Sequence, residues 1–230
     1  MRSLLIDAGN TSVKVALFED GTLQPLFRIP TIRVLEHPAD FVKKLRDITF
    51  NKLGVASVVK EITHLIEENF PGALIVSANL KLPIKIDYRT PELLGADRIA
   101  AACGGLEFAD SFIVVSCGTA TVVDLVEEKT FKGGVIFPGV ETMAQLLNLK
   151  TSQLPKVNFE GEVKIPGRST EECIQAGILA STIGGIKETI RNLPQHPLLI
   201  TGGWGELVSR HVKGTYVPEL VFKGILKILK

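Results

Sequence analysis

Apolar residues fall in short runs broken by small and polar turns. Residues 4–6 and 13–18 form two such runs, joined by Asp7-Ala8-Gly9-Asn10-Thr11-Ser12, and Asp20-Gly21 marks a second turn. This pattern predicts a β-meander at the start of the chain. Residues 53–59 and 74–76 are further runs of a length suited to buried strands. Between them Ile62, Leu65, Ile66 and Phe70 return at helical spacing, with charges on the other face. Strands that alternate with helices predict an α/β layer structure.

The same layout occurs a second time. Residues 112–126 run as an apolar strand, a glycine-centred turn with hydroxyl side chains (Gly118-Thr119-Ala120-Thr121) and a second apolar strand, closed by Glu127-Glu128-Lys129. Gly9 then corresponds to Gly118, Asn10 to Thr119 and Ser12 to Thr121. A strand–turn–strand unit that opens each half of the chain predicts two similar domains, residues 1–110 and 111–230, facing across a cleft. The last segment is free to pack back on the first domain.

Composition narrows the function classes. With 230 residues, 45% hydrophobic and 22% charged, the chain is long and apolar enough for a real core. A net charge of +1 with no basic stripe argues against a nucleic-acid partner and for a small substrate. Cys103, Cys117 and Cys173 lie far apart among small or apolar neighbours, which fits reduced, packed thiols. The start Met1-Arg2-Ser3-Leu4-Leu5-Ile6 meets Asp7 too early for a secretion signal, and no stretch reaches the ~18 apolar residues of a membrane span. A soluble, cytoplasmic protein is expected.

Three glycine turns are candidates for phosphate chemistry. In Asp7-Ala8-Gly9-Asn10-Thr11, Gly9 permits close approach of an anion to peptide N–H groups, and Asn10 and Thr11 add side-chain donors. Lys14 is spaced to reach the same phosphate, and Asp7 can orient a hydrated Mg²⁺. The alternative is an ordinary hairpin with a satisfied aspartate. Gly118-Thr119-Ala120-Thr121 offers the same physics without the lysine. Thr201-Gly202-Gly203, after the run at 198–200, suits a flat ring lying on the backbone, or simply a tight strand-to-helix turn. Gly133-Gly134 and Pro138-Gly139, around Val135-Ile136-Phe137, read as the wall of the cleft.

The sequence lacks a P-loop, Asp-Phe-Gly, His-Arg-Asp and HExxH, which removes several kinase and protease classes. His37, His64, His196 and His211 sit in surface-like contexts. Leu94-Gly95-Ala96-Asp97-Arg98 opens an alanine-rich helix. There Asp97 can cap the helix and Arg98 can pair on the surface. The same two residues also supply a base for a hydroxyl proton and a bidentate hold on a carboxylate.

Taken in order, these segments resemble the type III pantothenate kinases, a branch of the sugar kinase, heat-shock protein and actin superfamily. The resemblance runs over nearly the whole chain. Asp7-Ala8-Gly9-Asn10-Thr11 with Lys14 is similar to the family's first phosphate motif. Tyr88, Pro91 and Leu94-Gly95-Ala96-Asp97-Arg98 are similar to its pantothenate pattern, and Gly118-Thr119-Ala120-Thr121 with Asp124 to its second phosphate motif. Gly133-Gly134, Pro138-Gly139, Gly167, Ser169-Thr170 and Gly177 follow in order. Thr201-Gly202-Gly203 resembles the adenosine motif, and the stretch from Pro218 to Gly224 the family's tail.

The resemblance implies an actin-like (ribonuclease H-like) fold and phosphorylation of pantothenate by ATP and Mg²⁺. It makes Asp97 the general base and assigns pantothenate binding to Tyr88, Gly95, Ala96, Asp97 and Arg98. ATP falls to Asp7, Ala8, Gly9, Asn10, Thr11, Ser12, Val13, Lys14, Gly118, Thr119, Thr121, Gly202 and Gly203. It further implies a homodimer in which Thr170 reaches pantothenate from the neighbouring subunit. At Ser116 the family usually carries an aspartate for K⁺ or NH₄⁺, and a hydroxyl offers such an ion no charge; either the enzyme works without the ion, the preferred reading, or a nearby group replaces the carboxylate. Two alternatives of another kind remain at the level of sequence: a non-catalytic nucleotide-binding regulator, and a kinase of another small hydroxy acid.

Overall fold

A computed structural model describes residues 2–159 and 163–230; Met1 and residues 160–162 lie outside it. The chain divides into two compact units. One comprises Met1–Asp110, Val126–Lys132 and Glu219–Lys230, the other Ser111–Leu125 and Gly133–Pro218.

The first unit opens with a meander of β1 (Ser3–Ala8), β2 (Ser12–Glu19) and β3 (Thr22–Pro30). Helices α1 (Thr31–Glu36) and α2 (Pro38–Arg46) lead to β4 (Lys52–Ser57), and α3 (Lys60–Asn69) to β5 (Leu74–Ile75). The sheet order is β3-β2-β1-β4-β5, antiparallel through the meander and parallel from β1 to β4 and from β4 to β5. All six residues of β1 are buried, which explains its unbroken apolar run. Leu4, Ile6, Val13, Val15 and Val55 pack with Ile62 and Ile66 of α3, the face that the helical spacing predicts. Within this unit β6 (Lys85–Ile86) precedes α4 (Ala96–Gly105).

The second unit repeats the plan. β7 (Phe112–Cys117), β8 (Ala120–Glu127) and β9 (Thr130–Pro138) form a meander, followed by α5 (Val140–Lys150) and the long α6 (Thr170–Arg191). Then come β10 (Leu198–Thr201), α7 (Gly205–Ser209) and β11 (Thr215–Tyr216). The order β9-β8-β7-β10-β11 matches the five strands of the first sheet, and β6 adds a sixth strand at the β9 edge. Strand lengths match too: 6, 8 and 9 residues in both meanders.

Helix α8 (Leu220–Leu229) completes the first unit. It lies close against α4 because both helices offer glycine at the crossing. A β-carbon on Gly224 would collide with the Ala100 carbonyl, and one on Gly104 with the Leu220 carbonyl. Cys103 and Cys117 are buried free thiols whose pKa burial pushes up to about 12. Cys173 departs from the expectation of packed thiols, because the first turn of α6 leaves it exposed. Among the described residues no helix is long and apolar enough to cross a membrane.

Candidate active site

In the first unit, β1 and β2 set Asp7 directly opposite Lys14. The cross-strand pairing brings Lys14 Nζ within 3.0 Å of Asp7 Oδ2, with the carboxylate side chain only 11% exposed. The turn between them is held from behind. Gly9 N–H donates to Ser12 O (3.1 Å), Thr31 N–H donates to Thr11 O (3.1 Å), and the Thr31 hydroxyl donates to Gly9 O (2.6 Å). Ala8, Ser12 and Val13 are buried, so a ligand at this turn meets Gly9, Asn10 and Thr11.

A short 3-10 turn (Pro91–Leu93) delivers the chain to Gly95, the N-cap of α4. Asp97 stands in the first helical turn, where its Oδ1 accepts the Arg98 N–H at 2.8 Å. It is not the cap itself: Gly95 holds that position without a side-chain bond. Burial holds the Asp97 carboxyl above its ordinary pKa, opposed by the Arg98 amide and assisted by the negative charge of Asp7. Asp7 and Asp97 therefore act on one another within this unit.

Arg98 is buried, with its guanidinium carbon 5.3 Å from the Phe131 ring centre and 5.8 Å from that of Tyr88. The two rings meet edge-on, with centres 5.9 Å apart. A planar cation against two aromatics has little freedom, which fixes the direction of its donor fork. Phe131 reaches this position because β6 pairs in parallel with the start of β9, setting Ile86 beside Phe131.

In the second unit, Gly118 N–H donates to Ala120 O (2.9 Å), and Thr119 O accepts both the Gly139 N–H (3.0 Å) and the Thr142 hydroxyl (2.6 Å). Gly139 must lack a side chain, since a β-carbon would strike the Gly118 carbonyl. Gly202 has φ +92°, and a β-carbon there would meet the Cys117 carbonyl. Thr119 and Gly203 are exposed, whereas Thr121 is fully buried, so its hydroxyl is closed to a ligand. Ser116 is half-buried beside Thr201 of β10.

Thr170 starts α6 behind the cap of Ser169, whose hydroxyl accepts the Glu172 N–H (3.2 Å). It rims an apolar groove of about 710 Å³ lined by Met143, Leu146, Leu147, Ile174 and Ile178. Asp7, Lys14, Tyr88, Asp97 and Arg98 thus belong to the first unit, while Ser116, Gly118, Thr119, Thr170, Gly202 and Gly203 belong to the second. Among the described residues no group of three His, Cys, Asp or Glu side chains could by itself hold a metal ion.

Sequence reasoning missed three supporting residues. Phe131 orders Arg98, and Thr31 and Thr142 tie down the two turns from the helix that follows each meander. The only signal for the threonines is positional, since each falls just after the third strand of its repeat.

The model of the type III pantothenate kinase family matches residues 3–192. A type III pantothenate kinase of Aquifex aeolicus is 33% identical across all of this chain and 97% of its own length. Among solved structures, one assigned to the Baf family of transcriptional activators, from Campylobacter jejuni, superposes with a TM-score of 0.68 at 20% identity, covering 98% of this chain and 96% of that one. A Streptomyces griseus ROK family glucokinase bound to glucose and AMPPNP gives a TM-score of 0.57 at 8% identity, covering 100% and 98%. These structural likenesses bear on the fold alone, which is the two-domain actin-like one. With a family match over most of its length, the chain belongs to the type III pantothenate kinases, a family of phosphotransferases.

Proposed function

We propose that the protein transfers the γ-phosphoryl group of ATP to the primary hydroxyl of pantothenate, with Asp97 as the base. The product is 4′-phosphopantothenate, formed in the first step toward coenzyme A. The observation that carries the residue assignment is the Asp97–Arg98 pair. One carboxylate oxygen is held by the Arg98 amide, the group's proton affinity is raised, and the neighbouring guanidinium is locked against Tyr88 and Phe131. In this reading Arg98 and Tyr88 hold the carboxylate end of pantothenate, and Gly95 and Ala96 line its path. Asp97 accepts the hydroxyl proton as the oxygen–phosphorus bond forms and the bond from phosphorus to the ADP oxygen breaks. Phosphoryl transfer depends mainly on positioning and charge stabilisation, so one such base is adequate.

Asp7, Gly9, Asn10, Thr11 and Lys14 are assigned to ATP, with Ala8, Ser12 and Val13 contributing backbone only. Gly118, Thr119, Gly202 and Gly203 are assigned to ATP from the second unit, and Thr121 through its backbone. Mg²⁺ favours one or two carboxylates plus phosphate oxygens and water. A buried Asp7 carboxylate beside a phosphate-type turn fits an ion that arrives with the nucleotide, and such an ion would neutralise charge on the transferred group.

Ser116 offers a neutral oxygen where K⁺ or NH₄⁺ would need charge, so we assign no monovalent cation to this enzyme. We place the protein in the cytoplasm as a homodimer, with a second copy covering the α5–α6 groove and Thr170 directed to the partner's pantothenate. The exposed Leu146 in the groove's lining, and Leu149 (75% exposed) further along α5, support this reading.

The test is ADP release on addition of pantothenate, comparing wild type with Asp97→Asn. Pantothenate-dependent turnover by wild type, lost in the variant, is expected. No turnover across related hydroxy acids would sink the reaction, and equal turnover by both proteins would remove Asp97 from its role.

A further inference from the structure

A pocket of about 390 Å³ in the second unit is lined by Trp204, the residue after Gly203, and by none of the residues assigned above. Its walls include Glu141, Gln145, Lys156, Asn158, Phe159 and Trp204. Trp204 follows Gly203 directly, and its backbone N–H donates to the Cys117 carbonyl at 3.0 Å. The main chain at Trp204 is thereby anchored to the residue that precedes Gly118, while the indole itself meets Phe159. The opposite wall, α5, is anchored to the same turn, because Gly139 N–H and the Thr142 hydroxyl both bond Thr119 O. Two elements that line the pocket, the chain at Trp204 and the start of α5, are thus both tied to the Cys117–Thr119 segment.

The lining has the character of a base site. Phe159 meets Trp204 edge-on, with ring centres 5.5 Å apart and planes at 76°, which fixes the indole plane. On the rim, Gln145 Nε2 donates to Glu141 Oε1 (3.2 Å) across one turn of α5. That pair retains carboxylate and amide oxygens as acceptors for an exocyclic amine. The volume falls in the range of small-ligand sites, about 300–1,000 Å³.

We propose that Trp204 is the platform on which the nucleobase of the phosphoryl donor stacks, with Phe159 orienting the indole and Glu141 and Gln145 facing an amino-bearing edge of the base. This rests on the reading of the protein as an ATP-dependent kinase. It adds a specificity-determining surface that the glycine motifs do not supply.

Trp204 is the single tryptophan of the chain, so indole emission reports this residue alone. Wild-type protein is titrated with ADP, adenosine and tripolyphosphate. A saturable change with ADP and adenosine, and none with tripolyphosphate, is expected; a response to tripolyphosphate with none to adenosine overturns the proposal. Calorimetry of ADP binding then compares Trp204→Phe with Trp204→Leu. Since base–aromatic stacking is worth about tenfold or more in affinity, Leu should weaken ADP about tenfold and Phe no more than about threefold. The KM for pantothenate should hold in both variants. Equal weakening by both variants, or none by Leu, overturns the platform role. If Trp204→Leu fails to fold, the wild-type titration decides alone. Emission that responds to adenosine in a protein without pantothenate-dependent ADP release would overturn the proposed reaction and leave the base site standing.

Discussion

Gly95→Ala separates the stability of the first unit from the placement of its proposed base. The Gly95 backbone (φ −57°, ψ 135°) is one that any L-residue adopts, so alanine brings no strain of its own. Its restriction of the unfolded chain, worth about 0.4–1 kcal/mol, offsets a comparable cost of alanine for glycine at an N-cap. A β-carbon at this position, however, stands 2.5 Å from Asp97 Oδ1, while its next neighbour outside that carboxylate, Val58 Cγ1, is a comfortable 3.7 Å away. Ordinary contact begins at 3.4 Å, so the carboxylate must retreat by about 0.9 Å. That oxygen is the one holding the Arg98 amide at 2.8 Å, so the retreat also loosens the bond that aims the group.

A misplacement of this size at a reacting group costs on the order of 100-fold, or about 2.7 kcal/mol of transition-state stabilisation. The expected result of a coupled ADP-release assay is kcat/KM for pantothenate down about 100-fold, with a melting temperature nearly unchanged. Wild-type kcat/KM in a variant shown by crystallography to carry the displaced carboxylate would refute the reasoning. A melting temperature that falls along with activity would refute the claim that fold and placement are separable here.

Asp97→Asn should lower kcat/KM by about 10²–10⁴ while raising the melting temperature at neutral pH, because it removes a charge penalised by burial and by Asp7. A carboxyl with a raised folded pKa stabilises the fold most fully below its unfolded value and loses that contribution as pH climbs through the folded value. The wild-type rising limb of kcat/KM should therefore lie above the ordinary carboxylate range of about 3.9, and a limb at that ordinary value would contradict the assignment. Arg98→Lys replaces a planar fork packed on two rings with a point charge, so the KM for pantothenate should rise about tenfold with a smaller change in kcat. Thr31→Val removes the donor to Gly9 O, which should cost about 1 kcal/mol in chemical denaturation and raise the KM for ATP more than that for pantothenate. Activity in buffer free of Na⁺, K⁺ and NH₄⁺ should match that in K⁺ buffer, and high-affinity restoration by K⁺ would reverse the reading of Ser116.

The sheet cores were readable because β1, β4 and β7 are buried on both faces, which writes them as unbroken apolar runs. Their ends were not. The run at 53–59 stops pairing at Ser57, whose hydroxyl bonds both the carbonyl and the N–H of Val59 and turns the chain into α3. Strand β3 carries Pro25 and Pro30, is mostly exposed and faces a register shift between Val15 and Ala16, so no clean alternation marks it. Helix α6 is hidden by Gly177, Gly184 and Gly185, which dilute its periodicity. The glycine turns and the Asp97–Arg98 pair were legible as local chemistry, since adjacent residues carry them. Phe131 was not, because only the pairing of β6 with β9 brings it to Arg98.

The two repeats share their scaffold but not their charge. Each meander has strands of 6, 8 and 9 residues, and each has a threonine from the following helix bonded to a carbonyl of its first turn. Counted along the strands, Ser116 takes the place of Asp7 and Val122 that of Lys14. A carboxylate at Asp7 is tolerable in a nearly buried position because Lys14 meets it at 3.0 Å. At the corresponding place in β8 stand the buried Val122 and Val123, neither of which offers a charge to a carboxylate at residue 116, and a hydroxyl needs none. A neutral side chain at Ser116 is therefore consistent with its own surroundings. Both repeats carry what shapes such a turn, the glycine and the clamping threonine, while the charged groups assigned to catalysis lie in the first unit, where burial and then the charge of Asp7 lift the proton affinity of Asp97.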